Sequence, residues 1–196
     1  QEAQIRLMEK LKNHHGKNSM LVLRPAEAKE TTVAWKMAME NTATPTALIF
    51  SRQNITDLPE GNDYSLAERG AYIVAGSDEN PDVVMVASGS EVSTLISGAN
   101  LLRKDGVRCR IVSVPSEGLF RSQPKEYQES VVPAGAKVFG MTAGLPVNLQ
   151  GFLVGAAPES KIWGLESFGY SAPYKVRDEK LGYTGENVYA QVKAML

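Results

Sequence analysis

The stretch from Asp82 to Val114 constrains the fold more than any other. "DVVMVAS" (82–88) is an apolar run of strand length, and at Ser88-Gly89-Ser90-Glu91 it gives way to a helical repeat in which Val92, Leu95, Ile96, Ala99 and Leu102 share one face. The helix runs through Lys104, and Gly106 stands where a left-handed residue closes a helix C-terminus. "VRCRIVSV" (107–114) supplies the second strand of a β-α-β unit. Ser88 and Glu91 have the spacing of a capping box, in which each side chain accepts a backbone N–H of the other residue.

The flanking sequence extends this unit. "GAYIVAG" (70–76) reads as a strand, followed by the turn "SDENP" (77–81). Downstream come a short helix after Pro124, a strand "AKVFGM" (136–141), a glycine-rich stretch through Gly155, a strand "KIWGL" (161–165) and a terminal helix from Gly185 to Leu196. Residues 70–196 are therefore expected to form a three-layer α/β/α domain on a mostly parallel, mixed sheet. Residues 58–69, with Pro59, Gly61, Asn62 and Asp63, read as a linker over the surface.

Residues 1–57 read differently. A helix from Glu2 to His15 carries Ile5, Leu7, Met8 and Leu11 at helical spacing and is stopped by Gly16. "SMLVL" (19–23) is a strand ending at Arg24-Pro25, and "PTALIF" (45–50) is another. Between them a helix spans Glu27 to Asn41, with Val33, Ala34, Met37 and Ala38 as its buried stripe and Glu27 and Glu30 in the first turn, where the helix dipole favours acid. Unalternated strands imply a parallel sheet covered on both faces, and two strands are too few to make one. With Gln at position 1 and a helical pattern starting at once, this part is expected to be the incomplete tail of a larger parallel-sheet α/β domain, cut from its first strands or completed by a partner chain.

Composition excludes several classes of function. Twenty-one lysines and arginines nearly cancel 22 aspartates and glutamates, and both halves of the chain stay near neutral, so nothing marks a nucleic-acid-binding surface. No apolar run has the ~18 residues that a membrane-spanning helix needs, and no signal peptide opens the chain. The single cysteine, Cys109, lies mid-strand; it fits a core thiol in a reducing cytoplasm better than a nucleophile.

Few residues suggest chemistry. The Ser88–Ser90 junction has the geometry of an anion site but lacks a phosphate-loop glycine pattern, so capping is the preferred reading. His14 and His15 read as solvated helix-end residues with no third metal ligand, and Glu166 reads as one half of a rim salt bridge. "SFGYSAP" reads as a close-packed turn or an interface. No Ser-His-Asp or Cys-His arrangement is available, because the only two histidines are adjacent.

Arg52 stands apart. In parallel α/β sheets ligands bind beyond the strand C-terminal ends, and Arg52 follows the apolar core of its strand closely. Its guanidinium is suited to phosphate or carboxylate, with Gln53 and Asn54 to orient it or add donors. Pattern alone leaves open whether it holds a ligand or a local carboxylate.

"LRPAEAKET", "PTALIFSRQN", "PDVVMVASGSEV", "RIVSVPSEGLFRSQ" and "FGYSAP" occur in the order and spacing found in transketolases, and the chain resembles that family over essentially its whole length. The "SRQN" and "SGSEV" blocks separate it from other thiamine-dependent enzymes of similar architecture. The resemblance implies that residues 1–57 correspond to the end of the pyrimidine-binding domain and 70–196 to the C-terminal domain. It further implies transfer of a two-carbon ketol unit between sugar phosphates in a cytoplasmic homodimer that uses thiamine diphosphate and a divalent metal, magnesium or calcium. Arg52 matches the family arginine that contacts the substrate phosphate. The family's residues for cofactor and metal have no match in this segment, which is expected to bind neither and to be inactive alone. Glu166-Ser167 replaces the frequent Asp-Arg before "FG", and "PSEGLF" lacks the frequent tryptophan. A non-catalytic regulatory or small-ligand-binding domain and the C-terminal subunit of a split enzyme are the alternatives.

Overall fold

In the computed structural model, which describes residues 1–76 and 80–196, the chain forms two sheets of unequal size. The first part contains α1 (Glu2–Lys10), β1 (Leu21–Leu23), α2 (Ala28–Glu40) and β2 (Thr46–Leu48), with β1 and β2 paired in parallel. The second contains β3 (Tyr72–Ala75), β4 (Val83–Ala87), α3 (Glu91–Lys104), β5 (Cys109–Ser113), α4 (Glu117–Arg121), α5 (Lys125–Val131), β6 (Val138–Met141), β7 (Lys161–Trp163), α6 (Tyr174–Leu181) and α7 (Gly185–Lys193). Its strand order is β3-β5-β4-β6-β7, parallel throughout except for β3, which runs antiparallel to β5. The expected three-layer α/β fold with a mostly parallel, mixed sheet is what the chain adopts.

The pleat sorts the core. Val83, Met85 and Ala87 of β4 face Val92, Leu95, Ala99 and Leu102 of α3 and Val188 and Val192 of α7. Val84 and Val86 turn the other way, onto Phe120, Val131, Leu149 and Phe152. Every residue of β4 and β5 is buried, as an internal parallel strand requires. The α3 stripe is the one its periodicity predicts. Gly106 has φ +79°, and the bonds Val107 N–H to Leu102 O and Gly106 N–H to Arg103 O end the helix in a Schellman turn. Gly98 and Gly185 let α3 and α7 cross closely, since a Cβ on Gly98 would strike Val188.

Several local expectations are corrected. α1 ends at Lys10 rather than His15, because Asn13 takes the N–H groups of His15 and Lys17 on its side chain and builds a turn there. The helix buries Arg6 and Glu9 and leaves Leu7, Met8 and Leu11 exposed, so its apolar stripe faces solvent. The stretch 58–69 contains a 3-10 helix, Tyr64–Arg69, capped by Asp63; Leu58 and Ala67 are buried against the larger core. Helices α4 and α6 have no counterpart in the sequence reading. The turn "SDENP" falls largely on residues 77–79, outside the described residues.

Of the expected stripe of α2 only Ala34 is buried, Val33, Met37 and Ala38 being half-buried, and the acids of its first turn serve as caps. Glu27 is the N-cap and accepts the Glu30 N–H at 2.6 Å, while Glu30 accepts the Ala26 N–H at 2.7 Å and the Tyr72 hydroxyl at 2.7 Å. The last bond joins the first part of the chain to β3. Burial raises the Glu30 carboxyl above its ordinary value despite these donors.

Candidate functional site: two arginines at one sheet edge

β1 and β2 run side by side and each leads into an arginine. Beyond β1 the chain enters Arg24; beyond β2 it passes Ile49, Phe50 and Ser51 to Arg52. The pairing continues one step past the strands, with Ile49 N–H donating to Leu23 O at 2.8 Å. Both side chains therefore start from the same edge, and their surroundings could hardly differ more.

Arg24 is 7 % exposed and sits at the C-terminal ends of the larger sheet's strands. Its Nη1 donates to the Glu91 carboxylate and to the Ser88 carbonyl, and lies 3.2 Å from Ser88 Oγ; Nε is 4.0 Å from Glu2 Oε2. Its backbone is held as well, N–H to Pro115 O at 2.8 Å and O from Gly89 N–H at 3.1 Å. Burial alone would lower its pKa, but the charge of Glu91 and then that of Glu2 outweigh it and leave the guanidinium more firmly protonated than usual. Around it Arg6 donates to Glu2 at 2.9 Å and approaches Ser88 Oγ at 3.4 Å. Nearby Glu9, 3 % exposed, accepts from Val22 N–H at 3.0 Å and Ser116 Oγ at 2.9 Å. Burial raises its carboxyl above the ordinary value, with the Glu117 charge adding to the rise against those donors and Arg6.

The place has a topological meaning. The chain crosses from β4 to β5 on one side and then to β6 on the other, so the crevice beyond β4 and β6 is the switch point at which doubly wound sheets bind ligands. Glu91 spans it, accepting Ala143 N–H at 3.2 Å from the far side, and Arg24 fills it. The Ser88–Glu91 capping box therefore does not form. Glu91 is bound to Arg24 and Ala143, Ser88 Oγ turns to the two arginines, and the N-cap is Ser90, which makes no side-chain cap bond. A small-ligand site at this junction is already occupied by the chain itself. Sequence reading missed Arg24, although an arginine ending an apolar strand is the signal that marked Arg52.

Arg52 is exposed, and among the described residues it makes no hydrogen bond or ion pair. Ser51 Oγ donates to Gln53 O at 2.7 Å and tightens the turn that presents it; Gln53 is half-buried and Asn54 exposed. Phe50 stacks on Trp35 with ring centroids 6.4 Å apart at the base of this loop.

The other candidates fall away. His14 and His15 lie exposed in the Asn13 turn. Cys109 is buried, and that burial pushes its thiol up to about 11, far from a reactive thiolate. Glu166 is exposed with no ion pair among the described residues, so the rim salt bridge is not formed. Phe168 and Tyr170 of "SFGYSAP" are exposed rather than packed. Among the described residues no three His, Cys, Asp or Glu are grouped to hold a metal ion, and no helix is long and apolar enough to cross a membrane.

These elements define a doubly wound α/β sheet whose switch point is closed by Arg24 from the preceding segment. The transketolase-like C-terminal domain model matches residues 70–184, and the chain belongs to the transketolase family. A transketolase from Staphylococcus aureus (strain MW2) is 40% identical over 180 residues, covering 90% of this chain and 27% of that protein. The structure of transketolase from Leishmania mexicana superposes with a TM-score of 0.83 at 34% identity, over 98% of this chain and 26% of that one. A Pichia stipitis transketolase in complex with sedoheptulose 7-phosphate gives a TM-score of 0.80 at 29% identity, over 97% and 28%. The chain thus spans about a quarter of the length of the relatives it matches.

Proposed function

We propose that this chain works as the C-terminal part of a transketolase, an enzyme that moves a two-carbon ketol unit between sugar phosphates, and that Arg52 receives the substrate phosphate. In this reading residues 1–57 belong to the pyrimidine-binding domain, 58–69 connect, and 70–196 form the C-terminal domain of a cytoplasmic homodimer. The observation that carries it is the exposed Arg52 guanidinium, unpaired among the described residues, beside an edge whose other arginine is buried and ion-paired to Glu91. A guanidinium without a partner in its own fold keeps its charge-assisted donors for a ligand. Gln53 and Asn54 flank it as further donors. The sugar-phosphate complex of the Pichia relative supports the substrate class.

The described residues do not fit the family's cofactor. Among the described residues there is no acidic or histidine cluster for a divalent metal, magnesium or calcium, and the crevice at the switch point of the larger sheet is filled by Arg24. Thiamine diphosphate and its metal belong, in this reading, to the rest of such an enzyme, and this chain alone is inactive. Its own part is to bind the remote phosphate, so that binding energy is spent on orienting the reacting carbon atoms.

Arg52→Ala in the complete enzyme should cost on the order of 2–4 kcal/mol in phosphate binding. That appears as a raised KM for phosphorylated sugars with little change for hydroxypyruvate, which has no phosphate. Equal losses on both substrates contradict the assignment.

A further inference from the structure

We propose that the crevice between the ends of β4 and β6 is a guanidinium socket, filled in this chain by Arg24, and that Arg24 held there positions the loop carrying Arg52. The second half rests on the phosphate role proposed for Arg52; the first does not.

The socket is built for a flat cation. Glu91 supplies the countercharge, the Ser88 carbonyl and hydroxyl supply acceptors, and the Ala143 N–H fixes the Glu91 carboxylate from the opposite strand end. Its wall is Gly89, at φ +63°, where a Cβ would lie 2.7 Å from Arg24 Cζ and 2.9 Å from Nε. No other residue type leaves room for the guanidinium plane against that backbone. The bonds to Glu91 and Ser88 all come from Nη1, so an ammonium would satisfy the charge and forfeit only the flat fit of Cζ and Nε against the Gly89 backbone.

The route to Arg52 is short and made of backbone. Arg24 N–H and C=O are bonded to Pro115 and Gly89 in the loops after β5 and β4, so both the main chain and the side chain of the residue ending β1 are fixed to the larger sheet. The residue before it, Leu23, accepts Ile49 N–H at 2.8 Å, three positions ahead of Arg52. Loss of the socket contact frees the edge from which the Arg52 turn departs. The larger sheet would then contribute to catalysis without touching substrate, through where it holds β1.

Chemical rescue tests the socket. In this chain Arg24→Ala should lower the melting temperature by on the order of 10 °C, because it strands the Glu91 carboxylate in the interior. About 10 mM guanidinium chloride, far below denaturing concentration, should then raise it by roughly 3 °C, while ethylammonium chloride at the same concentration does not. The double variant Arg24→Ala/Glu91→Gln should show no rescue. If Arg24→Ala does not fold, the yield of folded protein on refolding with each cation gives the same comparison. Absence of rescue, or equal rescue of the double variant, overturns the socket.

The positioning role is read in the complete enzyme. Arg24→Lys should raise KM for phosphorylated sugars about 5-fold more than KM for hydroxypyruvate, an asymmetry that general destabilisation does not produce. If rescue succeeds and Arg52→Ala is phosphate-selective while Arg24→Lys is not, the positioning role is overturned and the socket stands. If neither variant is phosphate-selective, the role of Arg52 fails along with the positioning that depends on it.

Discussion

The two sheets share apolar strands, Val22 and Leu23 in one and β4 in the other, and differ in what is packed around them. In the five-stranded sheet apolar side chains are inside, and each stripe that the sequence marks finds its partner in the same chain. Around the two-stranded sheet the pattern inverts: α1 buries Arg6 and Glu9 and exposes Leu7, Met8 and Leu11, while Trp35, Met39 and Phe50 also lie exposed. The polar side chains are buried because they face the ligand end of the larger sheet, where carbonyls and N–H groups without ladder partners need donors and charges. The lesson is that periodicity reveals which face of a helix wants cover, and not which face its own chain covers.

The contrast can be broken most forcefully at Glu91. Glu91→Ala leaves the buried Arg24 guanidinium with only the more distant Glu2 carboxylate as countercharge and should cost about 3–5 kcal/mol in unfolding free energy, measured by urea denaturation of this chain. A cost under about 1 kcal/mol would mean that the polar junction is not a structural bond. Leu95→Ala, in the apolar core of α3, should cost about 2–5 kcal/mol in the same assay, with no dependence on salt.

A smaller effect follows from the buried acids. Glu9 and Glu30 have folded-state values raised above 4.5. Each therefore contributes stability that is fully present below its unfolded value and is lost as pH rises through the folded one. Between pH 4.5 and neutrality the melting temperature should gain less with pH, or fall more, than it does in Glu9→Gln and Glu30→Gln variants. Identical pH profiles would show that neither proton is shared with folding. The smallest effects belong to the exposed apolar residues: Leu7→Ser and Met39→Ser should change this chain's stability by no more than about 0.5 kcal/mol. A loss of several kcal/mol at either would show that those faces are covered after all.

What the sequence made legible follows from range. The unit from β4 through α3 to β5 could be read because its signals are local: strand runs, a helical stripe and Gly106 all lie within the unit. α6, "YKVRDEKL", has no apolar stripe to reveal it, and α4 is only five residues long. The capping box failed because the partner that takes Glu91 is 67 positions away in sequence, beyond any spacing rule. The same limit hid Arg24. Both arginines follow apolar strands, and only tertiary structure shows that one is consumed by the fold while the other stays exposed with no hydrogen bond or ion pair among the described residues.

That difference can be measured with inorganic phosphate as a probe of the complete enzyme. If Arg52 is the phosphate receptor, phosphate should inhibit competitively against a phosphorylated sugar, and Arg52→Ala should weaken that inhibition by at least about 30-fold, the lower end of 2–4 kcal/mol for one charge-assisted pair. Inhibition of unchanged strength in Arg52→Ala would place the phosphate elsewhere and leave the exposed guanidinium without the role given to it.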